Sequence, residues 1–265
     1  MYNSKFFKNL EQGSKASAEF VVPLILDQYN PKSVIEFGCG HGNWAKEFLR
    51  SGAVSYIGID GGEISEDELH FDRNLFKRAD LNKPFFIGKF DLAVCLETAE
   101  HLHTESSSVL VETLTNSSDI VVFSAGIPGQ GGTGHINEQW LSFWIERFSS
   151  YGFFINDCLR KEIWNIEKIE YWYRQNLVVF QKIEKPILFG PVDVVHPKTL
   201  EAASKHIQNL QNQLNQLNQL NQLNQLNQLN QLNHITKLFR LIQGAKHIIL
   251  LVPRKIKYEL GRVRN

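Results

Sequence analysis

Glycines stand at every second position, Gly38, Gly40 and Gly42, between Glu36 and Asn43 in the stretch Glu36-Phe37-Gly38-Cys39-Gly40-His41-Gly42-Asn43. Residues without a Cβ reach backbone angles that other residues avoid, and they let a ligand approach the main chain closely. A helix opening at Asn43 would turn its first N–H groups toward the same space, where a polar or anionic ligand is favoured. The dinucleotide fingerprint needs its third glycine at position 43, where asparagine stands, so that reading fails. A set of acids and imidazoles follows. Asp60 ends an apolar run, and an acid at the carboxyl end of a second strand can accept hydrogen bonds from both hydroxyls of a ribose. Glu97, His101 and His135 are residue types that take a proton from a hydroxyl held within hydrogen-bond reach.

These groups need elements to place them. The apolar run Ser33 to Phe37 reads as a buried strand, and a helix is expected from Asn43 to about Arg50. Ala53 to Ile59 is a second strand, a third run ends at Ala79-Asp80-Leu81, and Phe90 to Leu96 is a fourth strand. The residues just past that strand, Glu97 to His103, should line a ligand crevice. A helix over Glu105 to Asn116, a strand over Asp119 to Ala125 and a helix over Trp140 to Tyr151 follow, then strands from Phe153 to Asn156 and Leu177 to Phe180. The fifth strand and the next helix are joined by the glycine-rich, then polar, loop Gly126 to Gln139, a place where substrate contacts are common. A leading helix spans Ala16 to Tyr29 with a break or kink expected at Pro23. Strands alternating with helices predict an α/β, doubly wound sheet.

The turn Glu36-x-Gly38-x-Gly40-x-Gly42, followed by Asp60 and Asp80 in order, resembles the first motifs of class I S-adenosylmethionine-dependent methyltransferases over roughly residues 14–183. The resemblance implies a mostly parallel seven-stranded sheet with one antiparallel strand, the last inserted between the fifth and sixth. It implies that S-adenosylmethionine lies against Gly38, Cys39, Gly40, Gly42, Asn43, Gly61 and Leu96. Asp60 would hold the ribose, Asp80 with Leu81 the adenine, and Glu36 the methionine end through water. Glu97-Thr98-Ala99-Glu100-His101 resembles the E-x-x-E-H segment of small-molecule and sugar methyltransferases. Pro128 to Trp140 is similar to a P-G-Q-G-G-x-x-H-x-N-E-Q-W segment of bacterial and viral relatives. The chain lacks the Asn/Asp-Pro-Pro-aromatic motif of base-amino and glutamine methylation. The expected reaction is in-line O-methylation of a sugar, glycan or small metabolite, with His101, Glu97 or His135 as base and no metal. Two alternatives stand beside it. Glu97, Glu100, His101 and His135 also resemble the metal set of the small-RNA 3′-end 2′-O-methyltransferases, which would hold Mg²⁺ or Mn²⁺. A non-catalytic methyltransferase-like scaffold on an oligomerising tail is the other.

Composition bounds the rest. The chain has 265 residues, 43% hydrophobic, with formal net charge zero and three cysteines, Cys39, Cys95 and Cys158. An odd cysteine count without metal spacing fits a reducing cytoplasm. Met1 to Leu10 lacks the apolar core of a signal peptide, and Ile248 to Val252 is too short to span a bilayer. Residues 184–206 carry Pro186, Pro191 and Pro197 and read as a linker. Residues 207–233 become an uninterrupted Leu-Asn-Gln repeat from Leu214, expected to be helical, with coiled-coil self-association through 207–242, or disordered. Ile207, Leu210, Leu214 and Leu217 keep coiled-coil spacing, whereas the leucines spaced by three drift about 60° per repeat around a helix. Residues 234–265 hold eight Lys or Arg against Glu259 alone, a basic amphipathic segment that could rest on the inner face of an anionic membrane. The remainder is net acidic, so nucleic acid is not an expected partner.

Overall fold

Short apolar runs rich in Val, Ile and Phe form the strands, and amphipathic stretches between them form the helices. The structure, a computed structural model, describes residues 4–260 except 54, 63, 188 and 189, with side chains described from 12 to 243. In chain order the elements are α1 (Ser4–Tyr29), β1 (Ser33–Phe37), α2 (Asn43–Ser51), β2 (Ser55–Asp60), β3 (Phe76–Arg78), β4 (Leu92–Leu96), α3 (Ser107–Ser117), β5 (Ile120–Ser124), α4 (Leu141–Ser149), β6 (Phe154–Asn156), α5 (Cys158–Ile163), α6 (Tyr171–Asn176), β7 (Val178–Gln181) and α7 (Pro197–Leu260). The seven strands lie in the order β3-β2-β1-β4-β5-β7-β6. All neighbouring pairs are parallel except those made by β7, which runs antiparallel to β5 and β6. The fold expected from the sequence is the fold observed, including the insertion of the last strand.

Two apolar layers bury the sheet. Leu110, Val111 and Leu114 of α3 and Leu141, Trp144 and Phe148 of α4 cover one face, where Phe148 stacks on Phe180 with ring centroids 3.9 Å apart. Val21, Val22 and Ile25 of α1, Trp44 and Phe48 of α2 and Leu159 and Ile163 of α5 cover the other. Each of these helices buries its apolar side against the sheet and turns polar residues to solvent, as the periodicity requires.

The break expected at Pro23 is absent: α1 runs through it. Proline removes one helical donor, but Pro23 lies on the exposed side while Val21, Val22 and Ile25 are fully buried. Packing of that face offsets the lost bond. The linker expected over 184–206 is also corrected. Ile187 bonds to the edge of β6, its N–H donating to the Ile155 carbonyl at 2.8 Å, while its carbonyl accepts from Asp157 N–H at 3.0 Å. His196 and Thr199 are buried, and α7 already begins at Pro197. The chain divides into two compact units at 203/204 rather than at 183.

In the second unit, residues 204–260 are helical throughout, so the Leu-Asn-Gln repeat takes its helical alternative. Most of the basic segment 234–265 lies outside the described side chains. Among the described residues, no helix is long and apolar enough to cross a membrane.

Candidate active site

In a doubly wound sheet, ligands bind beyond the carboxyl ends of the strands where the strand order reverses, here between β1 and β4. The glycine turn leaves β1 at this point. Gly38, Gly40 and Gly42 have φ of 79°, 53° and 89°, all left-handed. Gly38 N–H and Cys39 N–H donate to the Ile59 carbonyl at 2.7 and 3.1 Å, which ties the turn to β2. The glycines are there for different reasons. A Cβ on Gly38 would meet the Thr98 hydroxyl at 2.1 Å, and one on Gly42 would meet the Phe71 ring at 2.2 Å. A Cβ on Gly40, which lines both cavities beside the turn, would meet no protein atom within 4 Å. Gly38→Ala is therefore expected to lower the midpoint of thermal unfolding by several degrees, since a clash of this kind costs about 1–3 kcal/mol. Gly40→Ala meets no clash but keeps the strain of a left-handed backbone, about 1–2 kcal/mol, so its midpoint should fall by a few degrees, less than that of Gly38→Ala, while cofactor affinity drops at least about tenfold by calorimetry.

Two adjoining cavities share this turn. The larger, about 490 Å³, is lined by Gly38, Gly40, Asp60, Gly61, Asp80, Leu81, Asn82, Glu97, Thr98 and His101, among others. The smaller, about 140 Å³, is lined by Ser14, Glu36, Cys39, Gly42, Asn43, Trp44, Leu96 and Tyr173 besides the shared glycines. Every residue that the sequence assigned to the cofactor lies on one wall or the other. Asp60 faces the turn: Oδ2 accepts from Gly40 N–H at 2.9 Å and Oδ1 from Gly62 N–H at 2.7 Å. A carboxylate has about four acceptor positions, so two remain for a ligand's hydroxyls. Asp80 is held by the N–H of Asn82 at 3.0 Å and by Lys83 at 3.1 Å, which keeps its carboxyl below the usual range. Glu36 is buried and accepts a hydrogen bond from the Tyr56 hydroxyl. Burial nonetheless pushes its pKa up to about 8.

The proton-handling candidates come together on the opposite lip. Glu97 has φ of 47°, an uncommon backbone for a non-glycine residue, and this aims its side chain into the site. Its carboxylate accepts from Asn176 Nδ2 at 3.1 Å and Gln130 Nε2 at 2.9 Å. Burial raises its pKa, opposed by these two donors. His101 lines the larger cavity from the exposed side. The His135 ring meets it edge-on, with centroids 4.8 Å apart. Partial desolvation, then the neighbouring imidazole, hold His101 below the ordinary histidine pKa. His135 stands behind His101, its Nδ1 2.9 Å from Glu138 Oε1. Glu138 also accepts from Gly129 and Gly131 N–H at 2.8 and 2.7 Å. The glycine-rich loop is thus folded around one carboxylate rather than being a loose connector.

Glu100 is fully buried, and neither carboxyl oxygen makes a hydrogen bond of good geometry, although the Glu100 and Gly126 N–H groups and the Glu97 carboxyl lie beside it. Burial and the adjacent Glu97 raise its pKa well above the usual range. One donor atom from each of Glu100, His101 and His135 lies within 4.8 Å of the others. A buried acid beside two imidazoles is a donor set suited to a divalent cation.

Sequence reasoning missed Gln130, Asn176, Tyr173 and Trp44 as parts of this site. Asn176 and Glu97 are 79 positions apart, and only the antiparallel return of β7 brings them into contact. Tyr173 accepts from Trp44 Nε1 at 3.4 Å on the wall of the smaller cavity. Nothing in the residue types of Tyr171 to Asn176 marks the contact.

Residues 10–119 match a family model described as a methyltransferase domain, a span that runs from within α1 to the residue before β5 and includes the glycine turn, Asp60, Asp80, Glu97 and His101. No curated protein matches the chain. Among solved structures, it is similar to the methyltransferase domain of bacterial CtHen1-C, with 17% identity, 63% of this chain and 98% of that one covered, and a TM-score of 0.47. It is also similar to a TehB-like SAM-dependent methyltransferase from Corynebacterium glutamicum, with 15% identity, 64% and 88% covered and a TM-score of 0.45. A third is magnesium protoporphyrin IX methyltransferase from Synechocystis with bound SAH, with 21% identity, 68% and 87% covered and a TM-score of 0.48. Likeness at this level says nothing about what the chain acts on.

Proposed function

We propose that this chain, which carries a class I S-adenosylmethionine-dependent methyltransferase domain, methylates a hydroxyl group on a sugar, glycan or small metabolite. The single observation that carries the reading is the position of His101: it borders the same cavity as Gly38, Gly40 and Asp60, so a base and a nucleoside cradle face one volume. The bound cofactor supplies a methyl group made electrophilic by its sulfonium. The protein holds and aligns the partners, which alone can contribute much of the rate. Asp60 and Asp80 serve the nucleoside, and Glu36 and Asn43 serve the amino-acid end. His101 accepts the proton of the acceptor hydroxyl at a ring nitrogen. Its lowered pKa keeps it neutral, and therefore basic, near neutrality. Glu97, with both oxygens already engaged by amides, positions the loop through Gln130. The intact cradle counts against a non-catalytic scaffold. Transfer of labelled methyl groups to fractionated extract tests the proposal: label in the hydroxyl-bearing fraction is expected, and label confined to amino groups would overturn it.

A second reading rests on Glu100. Its buried carboxyl beside His101 and His135 fits a Mg²⁺ or Mn²⁺ site, which would bind the vicinal hydroxyls of a nucleic-acid end. The two readings separate cleanly. Under the first, a chelator leaves the rate within about twofold and Glu100→Gln leaves it within about threefold, because no metal ligand is lost. Under the second, chelation or Glu100→Gln lowers the rate at least about 100-fold, and added Mn²⁺ restores the parent enzyme but not the variant.

A further inference from the structure

The helix from Ile207 to Ile242 carries a heptad seam that the leucine repeat conceals. Counting from Ile207 in steps of three and four gives Ile207, Leu210, Leu214, Leu217, then Asn221, Asn224, Gln228, Gln231, then Ile235, Leu238, Ile242. The repeating leucines leave this seam after Leu217 because a period of three is not that of a helix, and asparagine and glutamine take their places. The stripe turns apolar again at Ile235. Leu220 and Leu232 flank it, while Leu223, Leu226 and Leu229 point away. The seven apolar members are each about half exposed, from 48% at Ile242 to 60% at Ile235, and the helix is continuous over the whole stretch.

We infer that this seam pairs with a second copy of the same chain, parallel and in register, as a two-stranded coiled coil with a central layer of amides. Three observations support that occupant. Residues 207–233 contain no charged side chain, so nothing there selects a partner by charge. An amide carries both donors and an acceptor, and a buried one left unpaired is costly, so each Asn or Gln is best matched by the identical residue across the axis. A second copy supplies this order of apolar, amide and apolar layers by construction. The first seam position of the apolar heptads is Ile207, Leu214, Ile235 and Ile242, and the second is Leu210, Leu217 and Leu238. Isoleucine at three of these four first positions and leucine at every second one favour two parallel strands, and polar residues at the first fix their register. The seam is independent of the methyl-transfer reading and survives if that reading fails.

Sedimentation equilibrium of the full chain over a concentration series tests the proposal. A dimer is expected. Leu210→Lys with Leu238→Lys should weaken it at least about tenfold, while the outward pair Leu223→Lys with Leu226→Lys should leave it unchanged. Both pairs lie on exposed helix positions, so circular dichroism should report the same folded first unit in each. In a Cys158→Ser background, Leu210→Cys should cross-link to itself on mild oxidation. A monomer at every concentration, a trimer or larger species, equal loss with the outward pair, or a dimer in which residue 210 does not cross-link would each overturn the inference.

Discussion

Asp60→Ala is expected to weaken S-adenosylmethionine binding by about 100-fold. A hydrogen bond to a charged group contributes roughly 1.5–3 kcal/mol, and two ribose hydroxyls would lose theirs, at about 1.4 kcal/mol per factor of ten. The lower end of that range applies, because Asp60 already shares its charge with the N–H groups of Gly40 and Gly62. Asp60→Asn should rescue little: its carbonyl oxygen can accept from only one of the Gly40 and Gly62 N–H groups, and its NH2 then opposes the other donor to donor. Calorimetry with S-adenosylmethionine measures both variants, and thermal unfolding separates lost affinity from lost fold. Affinity for Asp60→Ala within threefold of the parent would show that this carboxylate shapes the turn and does not hold the nucleoside.

Asp60 also marks how far the sequence could be read. The glycine turn and the acids at strand ends are local: each is declared by a residue type at a strand terminus, and all of them reached the cavity walls. Strand cores were equally legible, because β1, β4 and β5 are buried on both faces and so read as unbroken apolar runs. What escaped was non-local. Proline at 23 reads as a breaker, and only burial of the opposite face keeps α1 whole. Pro186, Pro191 and Pro197 read as a linker, although Ile187 adds to the sheet edge and Pro197 opens a helix, where a missing N–H has no consequence. Gln130 and Asn176 had no motif to announce them.

His101→Ala is expected to lower kcat by about 10²- to 10⁴-fold while cofactor affinity stays within a factor of two or three. The pH profile carries the sign. The base works when neutral, so kcat should rise with pH through the His101 pKa and then level off. Because desolvation and His135 depress that pKa, the rise should finish on the acid side of the ordinary histidine value of about 6.5. A profile centred at or above that value, or one unchanged in His101→Ala, would move the base elsewhere. His101→Gln, which keeps a polar side chain but cannot accept a proton at the same point, should behave like alanine.

The buried amides around Gln175 set a boundary for anyone wishing to cut the polypeptide. The carbonyl oxygen of this glutamine accepts from His196 N–H at 2.8 Å and from the Thr199 hydroxyl at 2.7 Å, while its nitrogen donates to Gln130 at 3.2 Å and to Asn176 at 2.8 Å. A shortened protein stopped at the last strand would strip two donors from an interior acceptor and loosen the very residues that grip Glu97. A shortened protein is therefore expected to need the chain through Thr199, and the first compact unit ends at residue 203, so the first turns of the long helix belong with the site rather than with the tail that follows.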